Sequence, residues 1–518
     1  MSTKRIEYQF NSFYEMIRIH GTQQGSKIAL FVGDEKISYS TLLDRVNTFA
    51  GYLSAKGIKK DNRVALFLRN SPEFLITLFA LSKLGAVAVP INTFLKSEEL
   101  SYILEDSGVM MLVASSIYQD IVLNSQASEL CDLIIWKGKA VIQNAFNVQF
   151  EDTLTTTLSA PEIKVSLDSM AVIIYTSGTT GKPKGAMLSY KNIFSNSEAA
   201  IERVHVNKKD RGIVFLPMFH SFTLSVGIIL MMYVGGSIVI IKSLQPFSNI
   251  FKQTLMKRVT LFLGIPDVYN ALAKAKLPWY FMWFNNVRVF VSGASALREH
   301  TLIAMGQKFK RASLIEGYGL SESGPAICIN PPTKPKGKSV GPAMYGYQIK
   351  IIDERMQEVK RGEVGEVIAF GDNIMLGYLN RPDATKETIN NGWLLTGDMG
   401  YMDEEGYLFI VDRKKDLIIS KGINIYPQEI ESIIDTFEGV KASAVIGIPD
   451  EKSGEIPIAY IELQEGVEHI NESNLKNHLK AHLANFKLPK IVYFIDQLPK
   501  NATGKVLKRV LKEGINKK

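Results

Sequence analysis

Before about Gly341 the chain repeats one pattern: a short apolar run rich in β-branched residues, then a stretch with helical apolar spacing. Val64–Leu68, Ala86–Pro90, Met110–Ala114, Ala171–Tyr175, Ser237–Ile241 and Val287–Val291 are the clearest runs. Between two of them, Leu75–Leu84 (LITLFALSKL) reads as a largely buried helix. Strands without polar alternation are buried on both faces, and joining them in parallel takes a crossover that helices supply. The pattern therefore predicts an α/β fold of βαβ units and mostly parallel sheets. With 518 residues, 46% of them hydrophobic, the chain has ample material for a large core and about three or four domain-sized units.

Beyond Gly341 turn residues become frequent. Gln348–Ile352, Glu366–Phe370 and Tyr407–Val411 read as short strands joined by turns such as Asp403-Glu404-Glu405-Gly406, a small antiparallel β-rich unit over about residues 341–411. A tight charge cluster follows at Asp412–Asp416 (DRKKD). After it comes an α+β region of normal domain size: a helix from Gln428, strands Ala442–Ile448 and Ile458–Leu463, and a helix from Asn474.

Phe222–Ile241 is twenty residues without a charge, long enough to cross a bilayer. Gly235-Gly236-Ser237 divides it, so it reads instead as a buried helix, a turn and a buried strand. The N-terminus has no continuous apolar segment, so a cleaved signal peptide is not expected. Cys131 and Cys328 sit among apolar neighbours and form neither a disulfide framework nor a ligand set, which fits a reducing cytoplasm. The formal charge of +8 suits anionic ligands such as nucleotides. It reads as spread over a large surface, without the basic, aromatic-interleaved stripe that would point to nucleic acid.

Chemistry concentrates in Tyr175–Gly185, YTSGTTGKPKG, directly after an apolar strand. Its glycines let the backbone turn N–H groups inward, and its hydroxyls and lysines add donors and positive charge, as a polyphosphate requires. It is not the common nucleotide loop GxxxxGK[ST]: Pro183 stands five after Gly178, and neither lysine precedes Ser or Thr. A flexible surface turn is the plain alternative, and the density of donors argues against it.

The segment closely resembles the phosphate-binding signature of the adenylate-forming superfamily: acyl- and aryl-CoA synthetases, peptide-synthetase adenylation domains and beetle luciferases. Further matches follow in the same order: SGASAL at Ser292–Leu297, EGYGLSES at Glu316–Ser323, GWLLTGD at Gly392–Asp398, VDRKKDLIISKGINIYPQEIE at Val411–Glu431 and LPKNATGKVLKR at Leu498–Arg509. The resemblance runs from about Ile37 to Leu511. It implies a large N-terminal AMP-binding domain (1–411) of two mostly parallel α/β subdomains plus the small β-rich one. A hinge at 412–416 and a small mobile α+β C-terminal domain (417–518) complete the implied fold. The implied activity has two steps. A carboxylic acid and ATP give an acyl-adenylate and pyrophosphate with Mg2+; coenzyme A then takes the acyl group and AMP leaves.

The same resemblance assigns residues. Thr176, Ser177, Gly178, Thr179, Thr180, Gly181, Lys182 and Lys184 form the pyrophosphate cradle. Glu322 holds Mg2+ against the phosphates; Ser321 beside it keeps the hydroxyl of the Thr usual in relatives. Gly293, Ala294 and Ser295 make one wall for adenine, with Glu316, Gly317, Tyr318 and Gly319 opposite and Tyr318 able to stack. Asp398 accepts both ribose hydroxyls, a geometry suited to a two-oxygen carboxylate, and Arg413 is its partner. Lys415 is the hinge residue, and Asp412 and Asp416 satisfy the local charge. Lys505 bridges the substrate carboxylate and the α-phosphate, making it catalytic together with Glu322 and Thr176. Lys421 and Gly422 line the thiol tunnel after domain rotation, although Ile423 stands where the acyl-CoA branch often has Glu. His220 lies near the acyl carbonyl, as a catalytic group or as packing.

Phe222, Gly293, Gly317, Pro325 and Ala326 imply an apolar acyl pocket. No Asp or Lys there is set to pair with an amino acid's charges, and burying an unpaired ammonium is costly. The motifs look most like fatty-acyl-CoA synthetases for medium or long chains. An aryl-CoA ligase, an acyl-AMP ligase loading a carrier protein and a non-catalytic nucleotide-binding scaffold are the alternatives. His478 and His482 read as a solvated pair beside a buried Leu475, Leu479 and Leu483 stripe, not as metal ligands. The basic tail Lys500–Lys518 reads as a solvated amphipathic segment, with contact to CoA phosphates or to the inner face of a membrane left open. The sequence leaves the oligomeric state open, a homodimer included.

Overall fold

A computed structural model describes residues 7–139, 146–176, 182–242, 247–420, 423–450, 452–500 and 504–515. The apolar runs are strands of two eight-stranded sheets. In the first, Met170–Thr176, Val87–Pro90, Arg63–Phe67, Met111–Ser115, Leu133–Lys137 and Asn147–Gln149 lie side by side in parallel. Lys184–Ser189 and then Gly377–Tyr378 extend it antiparallel beyond Met170–Thr176. In the second, Ser313–Gly319, Val289–Ser292, Leu261–Gly264, Arg211–Val214, Ser237–Ile240 and Ile28–Val32 run parallel. Ala326–Ile329 and Glu35–Ser38 close its two edges antiparallel.

The helix expected at Leu75–Leu84 spans Pro72–Lys83. Proline stands in its first turn, where a missing N–H costs nothing, and every residue except Glu73 is buried. A helix apolar on all sides has no solvent face to offer. It fills the main core beside the helix Tyr39–Ala55, on Phe49, Leu75, Leu78 and Phe79.

The segment Phe222–Ile241 departs from a simple helix. Thr223–Ile229 is a π-helical stretch whose bonds reach one residue further, with Leu230 N–H donating to the Ser225 carbonyl. An ordinary α-helical turn, Leu230–Tyr233, follows, and Ser237–Ile240 is a buried strand. Gly227 lets the wide turn lie against the sheet: a Cβ there would stand 3.4 Å from Val214. Apolar spacing in a stretch that is buried all round carries no phase, so the extra residue per turn leaves no mark in the pattern. Among the described residues no helix is long and apolar enough to cross a membrane.

The β-rich unit is antiparallel, with Gln348–Ile352, Gly365–Phe370, Trp393–Met402 and Leu408–Arg413 paired in that order and Ile389–Asn390 on the remaining edge of Trp393–Met402. Lys414–Asp416 form one 3-10 turn leading out of it. The last region packs the helices Pro427–Ile434 and Glu472–His482 on a five-stranded sheet dominated by the hairpin Val440–Asp450 and Gly454–Leu463. Leu475, Leu479 and Leu483 point into that core as expected. His478 packs on Phe437 with ring centroids 5.4 Å apart and shares a 3.0 Å hydrogen bond with Thr436. Both cysteines are free and buried.

Gly341 joins the β-rich unit to the second sheet. Its φ is +89°, and a Cβ would fall 2.3 Å from the Ile329 carbonyl carbon. Gly341→Ala is expected to destabilise the protein by about 2 kcal/mol in chemical denaturation. Gly337→Ala, where a Cβ meets open space, is expected to leave the midpoint unchanged.

Candidate active site

The glycine-rich loop is the connection of a hairpin. Thr176 and Lys184 face each other where the strands Met170–Thr176 and Lys184–Ser189 end. Ser177, Gly178, Thr179, Thr180 and Gly181 lie outside the described residues. The loop's base is braced from one side. Tyr175 O–H donates to Asp106 Oδ2 at 2.7 Å, Arg381 pairs with Asp106 Oδ1 at 3.0 Å, and Tyr102 O–H donates to the Pro183 carbonyl at 3.1 Å. The Lys182 ammonium lies 4.9 Å over the Tyr102 ring, and that of Lys184 lies 5.2 Å over Tyr378. Aromatic faces hold these cations without neutralising them. Neither lysine has an acidic partner among the described residues, so both charges remain available to an anion.

Glu322 is the mirror case. Its Oε1 accepts from Tyr378 O–H at 2.8 Å and from Thr176 O–H at 3.4 Å. No described Lys or Arg pairs with it. A carboxylate held by neutral donors keeps its full charge, as a hard cation such as Mg2+ demands. The turn carrying it, Ser321–Ser323, follows the strand Ser313–Gly319 and is fixed by two buried amides. Asn196 and Asn373 both donate from Nδ2 to the Ser323 carbonyl, at 3.2 and 3.1 Å. Ser321 Oγ lies 3.1 Å from Ser221 Oγ, which brings the His220 turn alongside. His220 Nδ1 accepts from Phe222 N–H at 3.4 Å, and burial pushes the imidazole down to about 4. It is therefore neutral at ordinary pH and supplies no positive charge here.

The two glycine-containing walls come together because their strands are parallel neighbours, with Ser292 opposite Glu316. Glu316 Oε1 accepts from Leu297 N–H at 3.0 Å, tying the turn through Gly293, Ala294 and Ser295 to the strand Ser313–Gly319. Its Oε2 is buried with no partner among the described residues, and burial pushes the acid up to about 7. Ala294 sits at φ +74°, a region that residues with a Cβ disfavour. A Cβ on Gly293 would touch the Phe222 ring at 3.4 Å, and one on Gly317 would stand 3.4 Å from the Cys328 carbonyl. One on Gly319 would fall 1.9 Å from the Pro325 carbonyl, where the strand beginning at Ala326 turns back. Phe222, Gly293, Gly317, Pro325 and Ala326 thus gather around the ends of these strands.

Asp398 and Arg413 are direct cross-strand neighbours in the β-rich sheet. Arg413 Nε reaches Asp398 Oδ1 at 3.0 Å, and Tyr318 O–H donates to Oδ2 at 2.6 Å. Tyr318 thereby links the strand Ser313–Gly319 to this sheet. Lys505 reaches the same place from the far end of the chain. Burial and then the nearby Arg413 guanidinium hold its ammonium down to about 8, against Asp398 and Asp416, which favour the charged form. Ion pairs fix this arrangement: Arg298 with Asp435 at 2.7 Å and Lys500 with Asp267 at 3.5 Å. Lys415 lies in the 3-10 turn, where burial lowers its ammonium. Asp412 does more than balance charge, accepting from Gln428 N–H at 2.8 Å and so clamping the turn to the following helix. Lys421 and Gly422 lie outside the described residues.

Sequence reasoning missed Tyr378, Asn196, Asn373 and the Asp106 brace. Their partners are 50 to 275 residues away, so no local spacing marks them. Tyr378 stands in GYLNRP, two residues after Leu376, a setting that no spacing rule interprets.

A family model described as AMP-binding enzyme matches residues 17–379, and one described as AMP-binding enzyme C-terminal domain matches 429–505. Feruloyl-CoA synthase from Amycolatopsis sp is 32% identical over 92% of this chain and 93% of its own length. Long-chain-fatty-acid–CoA ligase FadD13 from Mycobacterium tuberculosis is 33% identical over 93% of each. Among solved structures, ATP-bound MatB from Rhodopseudomonas palustris superimposes with a TM-score of 0.88 at 32% identity, covering 98% of this chain and 99% of that one. The anthranilate CoA ligase AuaEII with anthranoyl-AMP gives 0.89 at 26% identity, covering 100% and 99%. The chain belongs to the AMP-binding enzyme family, within the adenylate-forming superfamily that its motifs resemble. It is an AMP-forming acyl-CoA synthetase, working on a small-molecule acid with ATP, Mg2+ and coenzyme A. The unpaired lysines, the uncompensated Glu322 and the orphaned Glu316 oxygen fit such ligands.

Because Lys505 is held near 8, its ammonium is lost as pH rises through that value. kcat/KM for adenylate formation at low ATP is expected to fall on the alkaline side of pH 8, since it reports the free enzyme. Lys505→Arg, whose guanidinium stays charged, is expected to flatten that limb. A wild-type profile level well beyond pH 8 contradicts the assignment.

Proposed function

We propose that the chain converts a medium- or long-chain fatty acid to its coenzyme A thioester through an acyl-adenylate. The observation that carries the first step is the meeting of Lys505 with the Asp398–Arg413 pair, two segments joined only by tertiary contacts. In this reading Thr176, Lys182, Lys184 and the loop residues Ser177–Gly181 receive the outer phosphates. Glu322 would hold Mg2+, which would offset phosphate charge. Asp398 receives the ribose hydroxyls, and Gly293–Ser295 and Glu316–Gly319 flank the adenine.

The barrier to the first step is that a carboxylate must approach a polyanion. Lys505 addresses it by donating to the carboxylate and to the α-phosphate together, so that the acid's oxygen bonds to phosphorus as the bond to pyrophosphate breaks. Positive donors fixed in a partly desolvated place act with little reorganisation. Thioester formation needs different groups at the same carbonyl. The proposed division into 1–411, a hinge at 412–416 around Lys415, and 417–518 supplies them by rotation, which brings Lys421 and Gly422 to the acyl group. Lys505→Ala is expected to slow adenylate formation ~10²–10³-fold and to leave thioester formation from supplied acyl-adenylate intact. Equal loss in both half-reactions overturns the role.

The fatty-acid assignment is supported by the apolar, small-residue surroundings of Phe222 and Gly293 and by the likeness to long-chain-fatty-acid–CoA ligases. Likeness to feruloyl-CoA synthase favours an aryl acid as the second reading. A panel of straight-chain acids, benzoate and ferulate, scored by pyrophosphate release with CoA, separates them. Each added methylene is expected to raise kcat/KM roughly fourfold until the pocket is full, from ~0.8 kcal/mol per buried CH₂. Preference for the aryl acids overturns the fatty-acid reading and leaves the adenylation chemistry standing.

A further inference from the structure

The short helix Trp279–Phe284 (WYFMWF) contains no polar residue except Tyr280, yet most of it faces solvent. Phe281 anchors it in the second sheet's core against Phe251, ring centroids 5.6 Å apart. Trp279 is 70% exposed, Trp283 65%, Phe284 65% and Tyr280 47%. Isolated exposed apolar residues are ordinary, but four aromatic rings on one six-residue helix form a patch that marks an interaction surface.

The chain around this patch is rich in cations. Within residues 247–312, Arg288 and Arg298 pair with Asp210 and Asp435 from beyond the segment, and the other eight lysines and arginines stand against two acids of the segment, Asp267 and Glu299. Both acids already pair with lysines from outside the segment, Lys500 and Lys338. Lys252, Lys276, Lys310 and Arg311 are exposed and make no ion pair among the described residues. Arg311 leans over the Trp283 ring at 5.8 Å, beside a cleft of about 170 Å³ between Trp283 and the segment Gln307–Ala312.

We infer that this face docks onto an anionic lipid surface, the aromatic rings entering the headgroup layer and the surrounding lysines and arginines pairing with lipid phosphates. Trp and Tyr are the side chains suited to a membrane interface, with an apolar body and one polar atom for the headgroups. Juxtaposed cations add electrostatic attraction to anionic leaflets. A second copy of the chain is a poorer occupant, since two faces of the same strong positive charge repel. A nucleic acid would stack on such rings but is served by cations interleaved among them, and this helix carries none. The inference does not depend on which acid the enzyme activates.

The test is co-sedimentation of the full-length protein with phosphatidylglycerol-rich vesicles, with pure phosphatidylcholine vesicles as comparison. Intrinsic fluorescence is followed in parallel. Of the four tryptophans, Trp136 is fully buried and Trp393 half-buried, so Trp279 and Trp283 dominate any blue shift. Wild type is expected to pellet with the anionic vesicles, to shift blue, and to be released near 1 M salt, where screening acts within ~3 Å. The W279S/W283S variant and, separately, K276E/K310E are expected to lose at least about tenfold in vesicle binding while keeping wild-type pyrophosphate release with a water-soluble acid. Three results overturn the inference: wild type left in the supernatant, variants that pellet like wild type, or a wild-type dimer that W279S/W283S dissociates without any effect of vesicles. Binding of a single-stranded oligonucleotide in preference to vesicles does so as well.

Discussion

A nearly buried carboxylate, Asp398, is the point through which the site is assembled. It is 4% exposed, and desolvating a charge to that degree is tolerable only with close partners. Arg413 comes from the strand Leu408–Arg413, Tyr318 from the strand Ser313–Gly319, and Lys505 from the far end of the chain. One negative group thus gives three distant segments a common position. Removing one member of such a buried pair leaves the other uncompensated, typically a loss of about 3–5 kcal/mol.

Around that satisfied centre the protein keeps several charges unsatisfied. Lys182 and Lys184 rest on aromatic faces, Glu322 is held by hydroxyls, and one Glu316 oxygen has no partner among the described residues. An enzyme optimised for stability alone would pair these groups with one another. Keeping them apart leaves their fields open, which in the proposed reading serves phosphates and a divalent cation, and a preorganised field is what lowers the barrier between two anions. Hydroxyl and amide braces from Tyr102, Tyr378, Asn196 and Asn373 hold the charged groups in place without neutralising them.

Much of this was legible in the sequence, for identifiable reasons. Strands such as Arg63–Phe67 and Met111–Ser115 are buried on both faces, so their composition alone marks them. Asp398, Arg413 and Lys505 were legible because they stand in motifs that resemble those of a known family and follow one another in the same order. The π-helical turn at Thr223–Ile229 was not, since a stretch apolar on every side has no phase to read. Tyr378 and the two asparagines were not, because each acts on a partner far away in sequence. The basic aromatic face was missed for a different reason: its cations lie on either side of the aromatic run, and only the exposure of Trp279 and Trp283 shows that the rings point outward.

Everything proposed for the site rests on a carboxylate oxygen bonding to the α-phosphorus of ATP. The most direct test supplies an acid labelled with ¹⁸O in both carboxylate oxygens, together with Mg-ATP and coenzyme A, and locates the label by mass spectrometry. The expected result is one labelled oxygen in the phosphate of AMP and one in the thioester carbonyl, with unlabelled pyrophosphate. Label in orthophosphate with ADP as the nucleotide product, or no label in AMP, contradicts it.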